Sequence, residues 1–185
     1  LLLTVYFALR VANQEFAPWR FRPVFRWMRD QGISPRAVGK AQLAFLSLHV
    51  GMSLLLCLPL LIWAGAIART PPMSVAATIL LLWFYAFSYG VWGLVSLVLW
   101  ERRAESRQVF IRCFFFVLVF VSALFYLPLN PVAFLLAILS RQELAPLTVA
   151  GAQWSATTVH VAFHLLIGAA GLAAHRWALR RESGS

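Results

Sequence analysis

Residues 41–68 read AQLAFLSLHVGMSLLLCLPLLIWAGAIA, 28 positions between Lys40 and Arg69 without a formal charge. A helix needs about 20 apolar residues to cross the hydrocarbon core of a bilayer, so this one stretch is long enough. Its apolarity is continuous rather than alternating, which disfavours a strand of a membrane barrel. A helix also satisfies all its backbone groups within a single segment, as lipid demands. The same pattern recurs downstream. The charge-free intervals are 31 residues between Arg69 and Glu101, 28 between Arg112 and Arg141, and 32 between Glu143 and Arg176. The expected fold is all-α: a polytopic transmembrane helical bundle forming a single membrane domain over 1–185. Its four full spans are expected near 41–68, 73–100, 113–128 and 153–175. Leu1 to Leu9 is also apolar, has no basic segment before it and lacks a small-residue cleavage site, so it is expected to be the inner end of a truncated N-terminal span.

The composition of the 185 residues agrees. Hydrophobic residues make up 62% and charged residues 12%, against about 45–50% and 25% in soluble domains. The net charge of +10 does not point to nucleic acid, because the basic residues sit between apolar runs instead of forming a patch beside stacking aromatics. Their distribution sets an orientation. Arg10–Lys40 holds seven Lys or Arg, the next connection only Arg69, Glu101–Arg112 four, the next only Arg141, and the tail after His175 three. That alternation places the three richer segments in the cytoplasm. Trp63, Trp100, Trp154 and Trp177 fall near span ends, as interfacial aromatics do.

Two segments do not cross. Residues 10–40 mix Trp19, Phe21, Phe25, Trp27 and Met28 with Arg20, Arg22, Arg26 and Arg29, the composition of an amphipathic helix at the inner headgroup level. Pro18 and Pro23 limit where it starts, and Gly32 with Ser34-Pro35 ends it. Residues 129–150 follow Leu127-Pro128-Leu129-Asn130-Pro131, a sequence that stops a helix. Val132–Leu139 is too short to span and reads as a short outer or re-entrant helix. Pro59 is placed to kink the first full span.

Soluble-enzyme motifs are absent: there is no phosphate loop, GxSxG, HExxH or GxGxxG. Cys57 and Cys113 show neither CxxC nor zinc spacing and read as buried free thiols. His160 and His164 stand four apart and share one face of the last span, while His49 lies in the first full span. Ionisable groups within a membrane are costly and often functional. The three histidines are therefore the candidates for holding a haem iron or chlorophyll magnesium, against interhelical hydrogen bonding as the plainer role. Glu101, Arg102, Arg103, Glu105 and Arg107 form an inner loop that is either simply solvated or a docking surface. Gly168, Ala169, Ala170 and Gly171 allow close helix packing.

The run Arg29-Asp30-Gln31-Gly32-Ile33-Ser34-Pro35-Arg36-Ala37-Val38-Gly39-Lys40 leads directly into the first full span. It resembles the "P(L/I/V)SP…(I/V)xxGK" stretch of type-2 ABC-exporter permeases. The later order is similar too: two spans, an inner loop with Arg102, Arg103 and Arg107, another span, Asn130-Pro131 before a short outer helix, and a last span ending in Arg176, Arg180 and Arg181. Family members usually carry an "ER…GT" motif before the Ser-Pro; here that place holds Arg20 to Met28 with no Gly-Thr. The resemblance implies a permease without catalytic residues or cofactor in a bacterial-type inner membrane. It also implies pairing with a second permease, a separate cytoplasmic ATPase, and docking of that ATPase through Arg26, Arg29, Arg102, Arg103 and Arg107.

A different class remains open: a structural or haem/chlorophyll-holding subunit of a respiratory or photosynthetic complex. A permease should keep the span histidines packed in protein or facing a cavity; a cofactor subunit should bury His49 or His160 beside a macrocycle. A lipid-modifying enzyme is the least favoured, since none of the six acidic residues lies inside a span and Glu101 and Glu143 lie at opposite faces. The orientation has a direct test. An impermeant thiol reagent added outside intact cells should modify a cysteine introduced at Thr70 or Gln142 and spare one at Glu105; the reverse pattern inverts the topology.

Overall fold

The computed structural model describes residues 2–14, 30–100, 103–149 and 151–183. Within them the order is α1 (Leu2–Gln14), α2 (Pro35–Ile67), α3 (Pro72–Leu99), α4 (Ala104–Phe125), α5 (Pro131–Ser140), strands β1 (Leu147–Val149) and β2 (Ala152–Trp154), and α6 (Ala156–Ser183). The chain is an all-α, multi-pass membrane protein: α2, α3, α4 and α6 are each long and apolar enough to cross a bilayer.

Local chemistry sets the helix limits. Ser34 caps α2, its hydroxyl accepting from the Ala37 N–H at 3.3 Å, and Pro35 occupies the first turn, where its missing donor costs nothing. The helix continues through Pro59 to Ile67. Arg69 then takes a left-handed conformation (φ 51°), and Pro71-Pro72 starts α3. A π-helical turn, Val117–Val121, interrupts α4, which stops at Phe125 as Tyr126 becomes extended. A 3₁₀ turn, Leu127–Leu129, leads to Asn130, the N-cap of α5. The strands form an antiparallel hairpin with Leu147 opposite Trp154.

The helices do not coincide with the charge-free intervals, and three of them run past an interval's end into the more basic segments. The first full span begins at Pro35 rather than 41, so Arg36 and Lys40 ride on its opening turns. The third begins at Ala104 rather than 113, so the expected 101–112 loop is helical over most of its length and carries Arg107 and Arg112. The last begins at Ala156 rather than 153, because residues 152–154 belong to the hairpin, and it runs on to Ser183 past 175. Backbone hydrogen bonding has no reason to stop where the lipid headgroups begin, so a charge ends the apolar zone without ending the helix. The expected surface helix around Trp19 to Arg29 lies outside the described residues, as do Arg26, Arg29 and Arg102.

The middle of the bundle is α3. Leu82, Tyr85, Ala86, Tyr89, Val91 and Leu94 are buried along it, and α1, α2 and α6 pack around them. From α1 come Val5, Ala8 and Leu9, at the spacing of one helix face; from α2 come Leu46, Val50 and Leu54. A second small cluster of Val38, Val98, Ala178 and Leu179 ties the inner ends of α2, α3 and α6 together.

Small residues draw α3 and α6 together. A Cβ on Gly168 would lie 2.9 Å from Ser88 Oγ, and one on Gly171 3.0 Å from Trp92 Nε1. Within a bilayer such close approach replaces the hydrophobic drive that water would supply. Gly168→Leu should therefore force the helices apart and cost about 1–3 kcal/mol, measured as a lower midpoint in detergent unfolding. The same substitution at Gly51, where an added Cβ meets nothing within 4 Å, should be nearly neutral.

Candidate functional site

Four large polar side chains of the core gather at one place. Tyr85 and Tyr89 on α3 face His160 and His164 on α6, and all four side chains are buried. The Tyr85 hydroxyl bonds His160 Nε2, the Tyr89 hydroxyl lies 2.7 Å from His164 Nδ1, and one turn further the Trp92 N–H donates to the Ile167 carbonyl at 3.1 Å. Each pair is 75 positions apart. The two helices therefore run parallel in a fixed register, joined by a hydrogen bond at each turn.

The far side of each imidazole reaches backbone. His160 Nδ1 lies 2.5 Å from the Pro128 carbonyl and His164 Nε2 lies 3.2 Å from the Leu129 carbonyl. Carbonyls only accept, so those two nitrogens carry the protons. His160 Nε2 and His164 Nδ1 are then acceptors, and the tyrosine hydroxyls donate to them. Two neutral relays result, each running from a tyrosine O–H through an imidazole to a backbone carbonyl.

Those carbonyls are exposed to this need by the break before α5. Pro131 has no N–H to offer. The next two donors, Val132 N–H and Ala133 N–H, both go to Asn130 Oδ1, at 2.9 and 3.0 Å. The Pro128 and Leu129 carbonyls are thus left without a helical partner, and the histidines supply one. The Phe134 ring of α5 lies flat on His160, with centroids 3.7 Å apart and 4° between planes. The imidazole is clamped between its two hydrogen bonds and covered on one face.

The three histidines do not act together. His49 is partly buried on α2 and stacks on Phe45 at 6.3 Å, apart from this centre. Every nitrogen of His160 and His164 has a protein partner, so neither offers a lone pair to iron or magnesium in this arrangement. Among the described residues no three His, Cys, Asp or Glu side chains are gathered as a metal would require. Both cysteines are free and face outward, so burial of the thiols is not what the fold does with them.

The inner arginines also differ from expectation. Arg103 is exposed, but Arg107 is buried, and its Nη1 donates to the Trp100 carbonyl at the end of α3, at 3.0 Å. It closes a helix terminus, where orphan carbonyls favour a cation. Arg107 therefore has a structural role at the end of α3.

Tyr85 and Tyr89 had no place among the sequence-derived candidates. Their four-residue spacing on α3, matching that of His160 and His164, was the available signal. Interhelical hydrogen bonds in membranes average about 0.6 kcal/mol, so Tyr89→Phe should be mild, near that figure. His160→Ala removes the bond to Tyr85, strips the stack on Phe134 and orphans the Pro128 carbonyl; it should cost about 2–3 kcal/mol. The measurement is unfolding in detergent, paired with protease cleavage at residues 141–146, which should accelerate in His160→Ala alone.

Compared with known proteins, the chain matches no family model, no curated protein and no solved structure.

Proposed function

We propose that this chain is the membrane-spanning permease subunit of an ABC-type exporter, driven by a separate cytoplasmic ATPase and paired with a second permease in a bacterial-type inner membrane. The observation that carries the reading is the order of elements around the Ser34-Pro35 and Gly39-Lys40 motif. Ser34 caps a 33-residue apolar helix, a second apolar helix follows, then one broken near its outer end. Next comes the Asn130-capped short helix, and last a span with Arg176, Arg180 and Arg181 near its inner end.

The distribution of burial supports it. Only 11% of the most apolar window of α2, and 11% of that of α4, is buried within the chain. Leu48, Met52, Leu55, Leu56 and Leu60 on α2 point outward, as do Phe116, Val117, Phe120 and Leu124 on α4. These faces suit lipid and a second permease, with a substrate path between subunits rather than through one. The core polar groups are consumed in holding the outer segment, which suits a protein that performs no covalent chemistry. The cofactor-holding alternative needs an imidazole nitrogen that His160 and His164 do not have to spare.

The burial of Arg107 shapes the test. The complex is purified from its native membrane and assayed for ATP hydrolysis and visible absorption. On the permease reading an ATPase copurifies, and Arg103→Glu, at an exposed position, lowers coupled hydrolysis severalfold while leaving the unfolding midpoint unchanged, since solvated charges contribute little to stability. Arg107→Glu should instead destabilise the bundle, because it places an unpaired carboxylate against the Trp100 carbonyl. A complex with a Soret or chlorophyll band and no ATPase overturns the reading.

A further inference from the structure

The inner ends of α2 and α6 enclose a groove of about 350 Å³. Arg36 and Lys40 line it from the opening turns of α2; Arg176 and Arg180 line it from the closing turns of α6. All four cationic side chains are exposed, and among the described residues no acidic side chain lines the groove. The N-terminus of α2 opens beside them, and a helix start adds partial positive charge.

A second, independent feature lies in the wall. His175 is 1% exposed, and its Nε2 sits 2.8 Å from Gln42 Oε1, an acceptor, so Nε2 carries the proton and donates. Its Nδ1 is buried and has no hydrogen-bond partner. Buried polar nitrogens are rarely left so, and this one belongs to a ring that forms part of the groove. His160 and His164, on the same helix, have both nitrogens engaged. With Nε2 protonated, His175 Nδ1 is an acceptor that the protein itself does not fill; a phosphodiester has no proton for it, but a headgroup hydroxyl, as in phosphatidylglycerol, does.

We propose that this groove binds the phosphate headgroup of an anionic phospholipid from the inner leaflet. The ligand is lipid rather than a soluble phosphate because of depth and grading. Lys40 and Arg176 are the last charges before the apolar intervals of their helices, so the groove sits at headgroup level. Its walls change along their length, from Arg36 and Arg180 at the aqueous end to Leu43 toward the membrane. A phosphate would meet the cations, and the start of its acyl chains would meet leucine. Basic pockets between spans on the cytoplasmic side have this lipid chemistry in general. The inference does not depend on the permease reading.

The test uses the full chain in detergent, with phosphatidylglycerol or phosphatidylcholine of identical acyl chains added and binding read by native mass spectrometry. Wild-type protein should retain phosphatidylglycerol in clear preference. Arg36→Gln, Lys40→Gln and Arg176→Gln combined should lose that preference, at about fivefold per charge removed. A matched variant, Arg103→Gln, Arg112→Gln and Arg181→Gln, removes three inner-face charges from outside the groove and should retain it. Unfolding midpoints in phosphatidylcholine alone check that both variants are folded. Equal loss in the two triple variants would mean diffuse attraction to the basic face and would overturn the site. So would equal retention of both lipids by the wild type. Displacement of phosphatidylglycerol by millimolar inorganic phosphate would reassign the groove to a soluble anion and overturn the lipid proposal.

Discussion

Two backbone carbonyls, those of Pro128 and Leu129, set the terms for the outer half of this protein. Non-helical backbone at membrane depth is tolerated only where the surrounding protein satisfies it, and a buried amide group without a partner costs on the order of 1–3 kcal/mol in proteins. The chain breaks its helix at Tyr126 and restarts it at Pro131, so it creates this cost at a buried position. Asn130 meets part of it from both sides. Its Oδ1 caps α5, while its Nδ2 reaches back to the Val119 carbonyl at 2.5 Å and to Ser122 Oγ at 3.1 Å. Ser122 in turn donates to the Leu118 carbonyl. One side chain thus joins the π-helical turn of α4 to the start of α5, and the Pro128 and Leu129 carbonyls are left for another element to satisfy.

That element is α6, and its register follows from the need. The carbonyls are consecutive, and His160 and His164 sit one helical turn apart on a single face to reach them. An imidazole donates through one nitrogen and accepts through the other, which lets it pass the contact on to a tyrosine of α3. The tyrosines lie one turn apart for the same reason. The parallel packing of α3 and α6, tightened by Gly168 and Gly171 against Ser88 and Trp92, keeps all four groups opposite one another. A leucine at either histidine would pack as well and leave a carbonyl unsatisfied.

The large-scale features were legible because they depend on quantities a sequence displays directly. Uncharged length gave the four spans, and Pro-Leu-Asn-Pro gave the break and the short α5. Legibility failed where an outcome depends on a partner elsewhere in the chain. Arg107 stands among charges and looks solvated; it is buried because the end of α3 leaves the Trp100 carbonyl beside it. Tyr85 and Tyr89 look like ordinary members of an apolar helix, and only the fold shows what they face. The hairpin of residues 147–154 has strands of three residues, too short for any periodicity to register. The helix ends moved for a similar reason: charge reports where lipid stops, and capping chemistry such as Ser34 reports where the helix starts.

The two ends of α6 are held by different chemistry. At the outer end, neutral relays have every donor and acceptor matched, and an aromatic ring covers one imidazole; the arrangement has little freedom to change without orphaning a buried group. At the other end the contacts to α2 include one buried hydrogen bond, His175 to Gln42, backed by the Leu179 side chain packed closely against Gly39. The remaining polar groups there are exposed cations. Displacing α6 at the histidine pair would break four hydrogen bonds and a stacking contact. An anionic headgroup between α2 and α6 would act at the end that carries the exposed cations, cross-linking the two helices through charge and making their separation dependent on the lipid present.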